Sequence, residues 1–234
     1  MQENPPNLNP TNSNPANSDP ANTHSIPYAV LGTSRISFPD NDPFHASATL
    51  AAEAEIMVYL GYPHLEDHSK RAILVELDTE CLGELTGEHL GEEGSNILGF
   101  ARYRNGTDDP SPLVELVKQK NSRPEAIAAA IALFEAAGLQ VAVCNDHLGR
   151  IIDRLVRPKY NAALRFLDEG RATQKDLDLT CKLGLGYPDG PVERVVRGGL
   201  VHHYHITTAL FEGTGASGYA PARRAIVAAK RERN

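Results

Sequence analysis

The stretch GRIIDRLVRPKYNAALRFLDEG at 149–170 divides this sequence into two halves of different character. Its apolar residues recur at helical spacing, which predicts one long helix from Gly149 to Glu169. Three later segments, 176–183, 199–211 and 221–231, also show helical patterns, and no strand pattern returns. We therefore predict an all-α C-terminal domain over residues 146–234.

A second diagnostic stretch, DLDLTCKLGLGYPDGPVE at 176–193, follows the long helix. Its core, Lys182 to Pro191, places three glycines and two prolines within ten residues. Glycine readily adopts left-handed backbone conformations, and proline fixes a corner in the chain. The segment therefore predicts a helix end followed by a rigid turn into the next helix.

Upstream of residue 146, short apolar runs alternate with helical patterns, which is typical of an α/β layer with a mostly parallel sheet. The predicted strands are Tyr28–Leu31, Ala72–Leu77, Asn96–Tyr103, Pro112–Lys118 and Leu139–Cys144. The predicted helices are Ala46–Leu60, Cys81–Leu90 and Arg123–Ala137. We assign residues 26–145 to this α/β domain.

The first 25 residues are mostly Asn, Pro, Ser, Thr and Ala, with the near-repeats NPTNS, NPANS and DPANT. They offer little apolar surface to offset the entropy of ordering, so we expect a disordered tail over 1–25.

The net charge of −7 argues against nucleic-acid binding. The sequence has neither an apolar run of the roughly 18 residues that span a bilayer nor a signal peptide, so we expect a cytoplasmic protein.

Both quoted stretches resemble the C-terminal domain of the 3-hydroxyacyl-CoA dehydrogenase family, which includes 3-hydroxybutyryl-CoA dehydrogenases. The ten residues Lys182–Pro191 match that family's turn almost residue for residue. The resemblance extends upstream, because Asp78-Thr79-Glu80-Cys81-Leu82 stands where the family has Asn-Thr-Ser-Ser-Leu. It implies a reduced Rossmann-like α/β domain before the helical one, and NAD-dependent oxidation of 3-hydroxyacyl-CoA to 3-oxoacyl-CoA in fatty-acid metabolism.

The resemblance also implies a catalytic set, in which a His accepts the hydroxyl proton, a Glu orients it, and a Ser and an Asn hold the substrate oxygen and the His. Threading this chain onto the family places Ala101 at the His position, Glu80 at the Ser position and Asp153 at the Asn position. Only the Glu is kept, as Glu115. We therefore expect weak or absent activity in the chain alone.

The cofactor motif is also degraded. A dinucleotide fold carries G-x-G-x-x-G after its first strand, whereas this chain has Gly32-Thr33-Ser34-Arg35-Ile36 with a single glycine. The family's NAD is therefore expected to bind poorly, and no residue is assigned to it. Glu80, Glu115 and Asp153 could together hold a metal, but we prefer a site without one. The three cysteines lack the spacing of a zinc or disulfide framework.

Several further residues invite functional hypotheses. Lys182 is a candidate contact for a CoA phosphate, although a solvent-exposed lysine is the commoner outcome. His202 and His205 share one helix face, and packing is the simpler explanation for them than metal binding. The resemblance implies a homodimer through the helical domain. The alternative to an enzyme is a non-catalytic module that binds acyl-CoA or pairs with a full-length dehydrogenase. A different reaction that uses Glu115 or Asp153 as a base is a third hypothesis.

Overall fold

The computed structural model describes residues 26–34, 36–61, 64–87 and 95–233, and the predicted disordered tail lies outside these ranges. A six-stranded sheet forms the first half of the described chain. Its strands are β1 (Tyr28–Gly32), β2 (Ile56–Leu60), β3 (Ala72–Glu76), β4 (Ile97–Arg102), β5 (Leu113–Lys118) and β6 (Gln140–Asn145). Between them lie the helices α1 (Pro43–Ala46), α2 (Gly83–Thr86) and α3 (Pro124–Ala136).

The strands lie in the sheet in their sequence order, β1 to β6, so each strand pairs with the one before it. The strands β1 to β4 run parallel, β5 reverses direction against β4, and β6 runs parallel to β5. This confirms the predicted α/β layer. Doubly wound sheets bind ligands where the strand order reverses, and the described strands contain no such reversal.

Continuous apolar runs explain the central strands. All five residues of β2, IMVYL, are buried, as expected for a strand covered on both faces. On one face, α3 packs over an aromatic cluster in which Phe38 stacks on Phe44 at 4.2 Å between ring centroids. Phe100 and Phe134 meet at 5.5 Å in the same cluster. These rings fix the loop after β1 against the sheet.

The second half is helical, which confirms the predicted change of character after the sheet. It contains α4 (Ile151–Asp168), α5 (Gln174–Leu185), α6 (Pro191–Arg197), α7 (Leu200–Thr214) and α8 (Arg223–Glu232), with one 3-10 turn at Ser217–Tyr219. Its main apolar core joins Tyr160 and Leu164 of α4 to Val192 and Val195 of α6. In the described chain, no helix is both long and apolar enough to cross a membrane.

The glycine- and proline-rich turn joins α5 to α6. Of its three glycines only Gly186 is left-handed, with φ 69°, where it ends α5. Gly190 is needed for space instead, because a Cβ there would lie 2.2 Å from Cγ of Asp178. The Asp178 carboxylate accepts hydrogen bonds from the backbone N–H of Val192 at 2.9 Å and of Glu193 at 3.0 Å, and so caps α6.

One sequence prediction of local structure was wrong, and one helix was missed. The predicted helix Ala46–Leu60 is instead a loop followed by β2. The Ala and Glu residues before Ile56 suggested a helix, but the five-residue apolar run that ends at Gly61 belongs to the sheet. Helix α6, which begins at the end of the predicted turn, was not predicted, because seven residues are too few to show helical periodicity. Residues 88–90 of the predicted helix Cys81–Leu90 lie outside the described residues.

Candidate functional site between the two domains

A cleft lies where the sheet meets the helical domain. Its inner end is lined by Leu77, Ala101, Tyr103, Glu115, Ile152 and Asp153, among others. The free volume there is only about 20 Å³, which is room for about one water molecule. An outer part of about 410 Å³ opens beside it, and both parts are lined by Ile36, Asp78, Arg104 and His202. The cleft therefore has a filled interior and an open mouth.

Three of the four threaded positions meet in this cleft. Ala101 on β4 and Glu115 on β5 are direct cross-strand partners in the antiparallel pair. Asp153, in the first turn of α4, lines the same inner end. Glu80 lies next to the cleft, where its carboxylate accepts a hydrogen bond from the backbone N–H of Asp78 at 3.1 Å. The threading therefore places these residues around one site.

Glu115 is buried, and its carboxylate binds the N-terminus of α4. It accepts hydrogen bonds from the backbone N–H of Ile151 at 2.5 Å and of Ile152 at 3.0 Å. The N-cap residue of α4, Arg150, supplies no side-chain cap, so Glu115 satisfies N–H groups that the helix leaves free. Burial raises the pKa of Glu115 above its usual value, although the two N–H groups oppose that shift.

Asp153 is held by an ion pair. Its carboxylate lies 2.7 Å from Nε of Arg157, one turn further along α4, and both side chains are largely buried. Opposite charges four residues apart on a helix face each other, so the pair could have been predicted from the spacing. The carboxylate of Asp153, at the position that the resemblance assigns to Asn, is therefore paired with a cation of its own helix.

Asp78 is the most perturbed carboxyl of the cleft. Withdrawal from water, reinforced by the negative charges of Glu80 and Asp153, raises its pKa to about 6, although the residue as a whole stays exposed. Asp78, which lines both the inner and the outer cleft, therefore changes charge near pH 6. The sequence marked it only as part of a matched pentapeptide.

The linker between the domains is tied to the residues after β3. Arg150 donates a hydrogen bond to the carbonyl of Glu80 at 2.9 Å and another to the carbonyl of His147. The N–H of Gly149 donates to the carbonyl of Thr79 at 2.7 Å. Gly149 has a φ of 73°, and a Cβ there would lie 2.4 Å from Cδ2 of Leu210, so glycine is required.

The three histidines of α7 have different surroundings. His203 is fully buried, its Nε2 lies 3.0 Å from Oδ1 of Asn161, and burial lowers its pKa to about 3. His202 lines both parts of the cleft, and burial and the Arg157 charge lower its pKa. His205 is exposed at the outer cleft. His203 is thus the packing residue, and His202 and His205 are the two that reach the cleft.

Lys182 does not line either part of this cleft. It lies on α5, where Nζ forms an ion pair with Glu193 of α6 at 2.5 Å. Within the described chain, no group of three or more His, Cys, Asp or Glu residues has a geometry that could hold a metal.

The loop after β1 is organised by an acidic residue. The Glu76 carboxylate accepts hydrogen bonds from Oγ of Ser34 at 2.6 Å and from the N–H of Ser37 at 3.0 Å. The next helix, α1, begins only at Pro43 and has four residues. A dinucleotide site instead has a helix starting directly behind this loop, whose N–H groups meet the pyrophosphate.

The structure thus combines a mostly parallel α/β sheet with a helical C-terminal region, and a cleft lies where the two meet. A family model described as 3-hydroxyacyl-CoA dehydrogenase, C-terminal domain, matches residues 149–233. The helical part of the chain is therefore similar to the C-terminal domain of 3-hydroxyacyl-CoA dehydrogenases.

Individual relatives with similar sequences carry related names. A probable 3-hydroxyacyl-CoA dehydrogenase of Caenorhabditis elegans is 27% identical over 71% of this chain and 57% of the relative. A 3-hydroxybutyryl-CoA dehydrogenase of Bradyrhizobium diazoefficiens is 36% identical over 48% of this chain and 40% of the relative. The chain thus spans about half the length of these two relatives. The crystal structure of (S)-3-hydroxybutyryl-CoA dehydrogenase from Ralstonia eutropha shares the fold, with TM-score 0.65, 19% identity, and coverage of 76% of this chain and 66% of that one.

Proposed function

We propose that this chain is a 3-hydroxyacyl-CoA dehydrogenase family protein of acyl-CoA metabolism that does not carry out NAD-dependent oxidation of 3-hydroxyacyl-CoA by itself. The observation that carries the proposal is how the carboxylate of Glu115 is bound and which residue lies opposite it. Its carboxylate is bound by two N–H groups of α4, and its cross-strand partner is Ala101.

The missing base is the first argument. The methyl group of Ala101 cannot accept the proton that leaves the 3-hydroxyl as hydride departs, and removal of a general base typically costs about 10²–10⁴-fold in rate. Glu115 cannot take over that role without giving up its hydrogen bonds to α4. Asp153 is likewise committed, to Arg157.

Space is the second argument. The inner cleft, where Ala101 and Glu115 meet, has about 20 Å³ of free volume. A reacting carbon with its hydroxyl group needs more room than about one water molecule occupies. A substrate therefore does not fit at this position without rearrangement of the cleft.

The cofactor is the third argument. The loop after β1 has neither the three glycines nor a helix start behind it, and it is bound instead to the negative Glu76. A pyrophosphate there would lose the backbone N–H cradle and meet a like charge. These residues do not fit NAD, so we derive no catalytic step through it.

The direct test is NADH oxidation with acetoacetyl-CoA by the purified chain, beside a full-length bacterial family member in the same assay. We expect a rate at least about 10²-fold below that control, as for the loss of a general base. Turnover within tenfold of the control would overturn the proposal.

The remaining role is that of an assembly partner, and exposed apolar side chains support it. On α5, Leu179 and Leu183 lie four residues apart on one face, 49% and 79% exposed. On α4, Leu155 is 70% exposed. Exposed apolar patches often mark protein–protein contacts. We infer that the helical domain forms a homodimer or pairs with a full-length dehydrogenase.

Sedimentation velocity of the purified chain tests the assembly role. A dimer is expected, and Leu179→Glu with Leu183→Glu should convert it to a monomer. Lys175→Glu, on the exposed start of the same helix, is the charge control. If the wild-type chain is a monomer, the same run is repeated with a full-length dehydrogenase. A monomer that neither joins that dehydrogenase nor shows a thermal shift with acetyl-CoA would overturn the partner role.

A further inference from the structure

The outer cleft has the size of a ligand site but an unusual lining for a family that handles acyl chains. Its volume of about 410 Å³ lies within the range of about 300–1,000 Å³ typical of small-molecule pockets. The side chains that line it are Arg104, His202, His205, Asp78 and Ile36. Only one of these five is aliphatic. An acyl tail would therefore gain little apolar contact here.

Arg104 is positioned by its loop. Its Nε donates to the carbonyl of Asp108 at 2.8 Å, and no ion pair of its guanidinium is found within the described ranges. The loop is fastened to α6 through Asn105, whose Nδ2 donates to the carbonyl of Arg194 at 3.2 Å. A Cβ on Gly106 would lie 2.6 Å from the carbonyl oxygen of Arg197, so the loop approaches the helical domain closely.

The opposite wall is the start of α7. His202 and His205, three residues apart, share one face of that helix. The helix begins at Leu200, and its N-cap Gly199 provides no side-chain acceptor. The first-turn N–H groups and the helix dipole therefore add positive potential on the histidine side of the cleft.

We propose that the outer cleft binds a short-chain carboxylate, with the Arg104 guanidinium as its principal partner and His202 and His205 as further donors. A planar guanidinium matches the two oxygens of a carboxylate, and hydrogen bonds between charged groups are the stronger ones.

Asp78 is the carboxylate that opposes such a ligand. It lines the outer cleft, with Glu80 and Asp153 behind it and Arg157 next to Asp153. With its pKa near 6, Asp78 becomes neutral in mild acid. The loss of this negative charge favours an anion, so binding should strengthen as the pH falls.

The carboxylate proposal depends on the proposed function in one respect, because it assumes that the cleft does not carry out dehydrogenation. Binding is therefore measured without cofactor or CoA ester. Carboxylate binding could fail while the chain remains inactive as a dehydrogenase, and an active chain could still bind the carboxylate.

The test is isothermal titration of the full chain with succinate, at about pH 5.5 and about pH 8. Succinamide, which has the same skeleton without charge, is the matched ligand. We expect succinate to bind more tightly at the lower pH and succinamide to bind at least tenfold more weakly than succinate. Equal binding of the two, or no binding of succinate at either pH, would overturn the proposal.

Variants locate the site. Arg104→Gln should weaken succinate binding by about tenfold or more, the scale expected for a lost hydrogen bond between charged groups. Arg104→Lys should keep part of the affinity because it keeps the charge, which separates a binding role from misfolding. Arg231→Gln, on the exposed end of α8, is the control and should change nothing. If a folded Arg104→Gln variant bound succinate as tightly as the wild-type chain, succinate would be binding elsewhere. That result would overturn the proposal.

Discussion

Ala101 and Glu115 lie directly opposite each other on β4 and β5, and the carboxylate of Glu115 holds the first two N–H groups of α4. Glu115, which the family resemblance places at the position of a histidine-orienting glutamate, therefore joins the sheet to the helical region in this chain.

Glu115→Gln should destabilise the chain. Each carboxylate oxygen accepts from one of the two N–H groups, so in this geometry an amide would turn its NH₂ group toward one of them. The amide also has no charge and loses the favourable interaction with the helix dipole. We expect a loss of about 1–2 kcal/mol in the free energy of unfolding, measured by urea denaturation. Glu135→Gln, exposed near the end of α3, is the control and should change stability by less than about 0.5 kcal/mol. A neutral Glu115→Gln variant would contradict the capping role.

Restoring the histidine should not restore activity. In Ala101→His the new imidazole enters a cleft with about 20 Å³ of free volume, opposite a carboxylate already bound to α4. We expect the rate of NADH oxidation with acetoacetyl-CoA to stay within about tenfold of the starting chain, because one group of an interdependent set rarely acts alone. A gain of 10²-fold or more would mean that Glu115 and the cofactor loop are still functional.

Reinstating the family's asparagine should be costly. Asp153→Asn leaves Arg157 as a buried, unpaired cation, and breaking such a pair typically costs about 3–5 kcal/mol. The double variant Asp153→Asn with Arg157→Met removes that charge and should recover most of the loss. Thermal or urea unfolding of the two single variants and the double variant gives the coupling energy directly. Additive effects of the two substitutions would contradict the pairing.

His203 should make the fold sensitive to acid. Its pKa is about 3 in the folded chain and about 6.5 when unfolded. Between these values the unfolded chain binds a proton that the folded chain does not. The free energy of unfolding therefore has its full value above about pH 6.5 and decreases as the pH falls below about 6.5.

Urea unfolding at about pH 7.5 and about pH 4.5 tests this, with an expected loss on the order of 2 kcal/mol from this residue. His203→Gln, which keeps a side-chain amide for Asn161, should be less stable at the higher pH but lose less on acidification. An equal loss in both proteins would mean that other groups cause the acid sensitivity.

Much of the fold could be predicted because its signals are local. A short window of sequence is enough to recognise the apolar runs of five strands, β1, β3, β4, β5 and β6. It is also enough to recognise the start of α3 at Pro124 and its end before Gly138. The predicted helix Ala46–Leu60 failed because a composition rich in Ala and Glu outweighed the five apolar residues that became β2. Pairing with β1 and β3, which decided the outcome, is a long-range property.

The site was predictable only in part, for a similar reason. Threading brought Ala101, Glu115 and Asp153 together because their spacing follows the family. Arg104 and Arg157 were missed, since an arginine in a loop or a helix usually faces solvent. The capping role of Glu115 depends on α4 starting beside β5, and no local pattern reveals that.

The order of the strands has a consequence for synthesis on the ribosome. Because each strand from β1 to β6 pairs with the one before it, the sheet can grow in the direction in which the chain emerges, without holding a gap for a later strand. Sheets whose order reverses must keep one edge of the first strand open for later segments. Short separations between pairing partners also favour fast folding. Docking of α4 onto Glu115 would then be the event that joins the finished sheet to the helices made last.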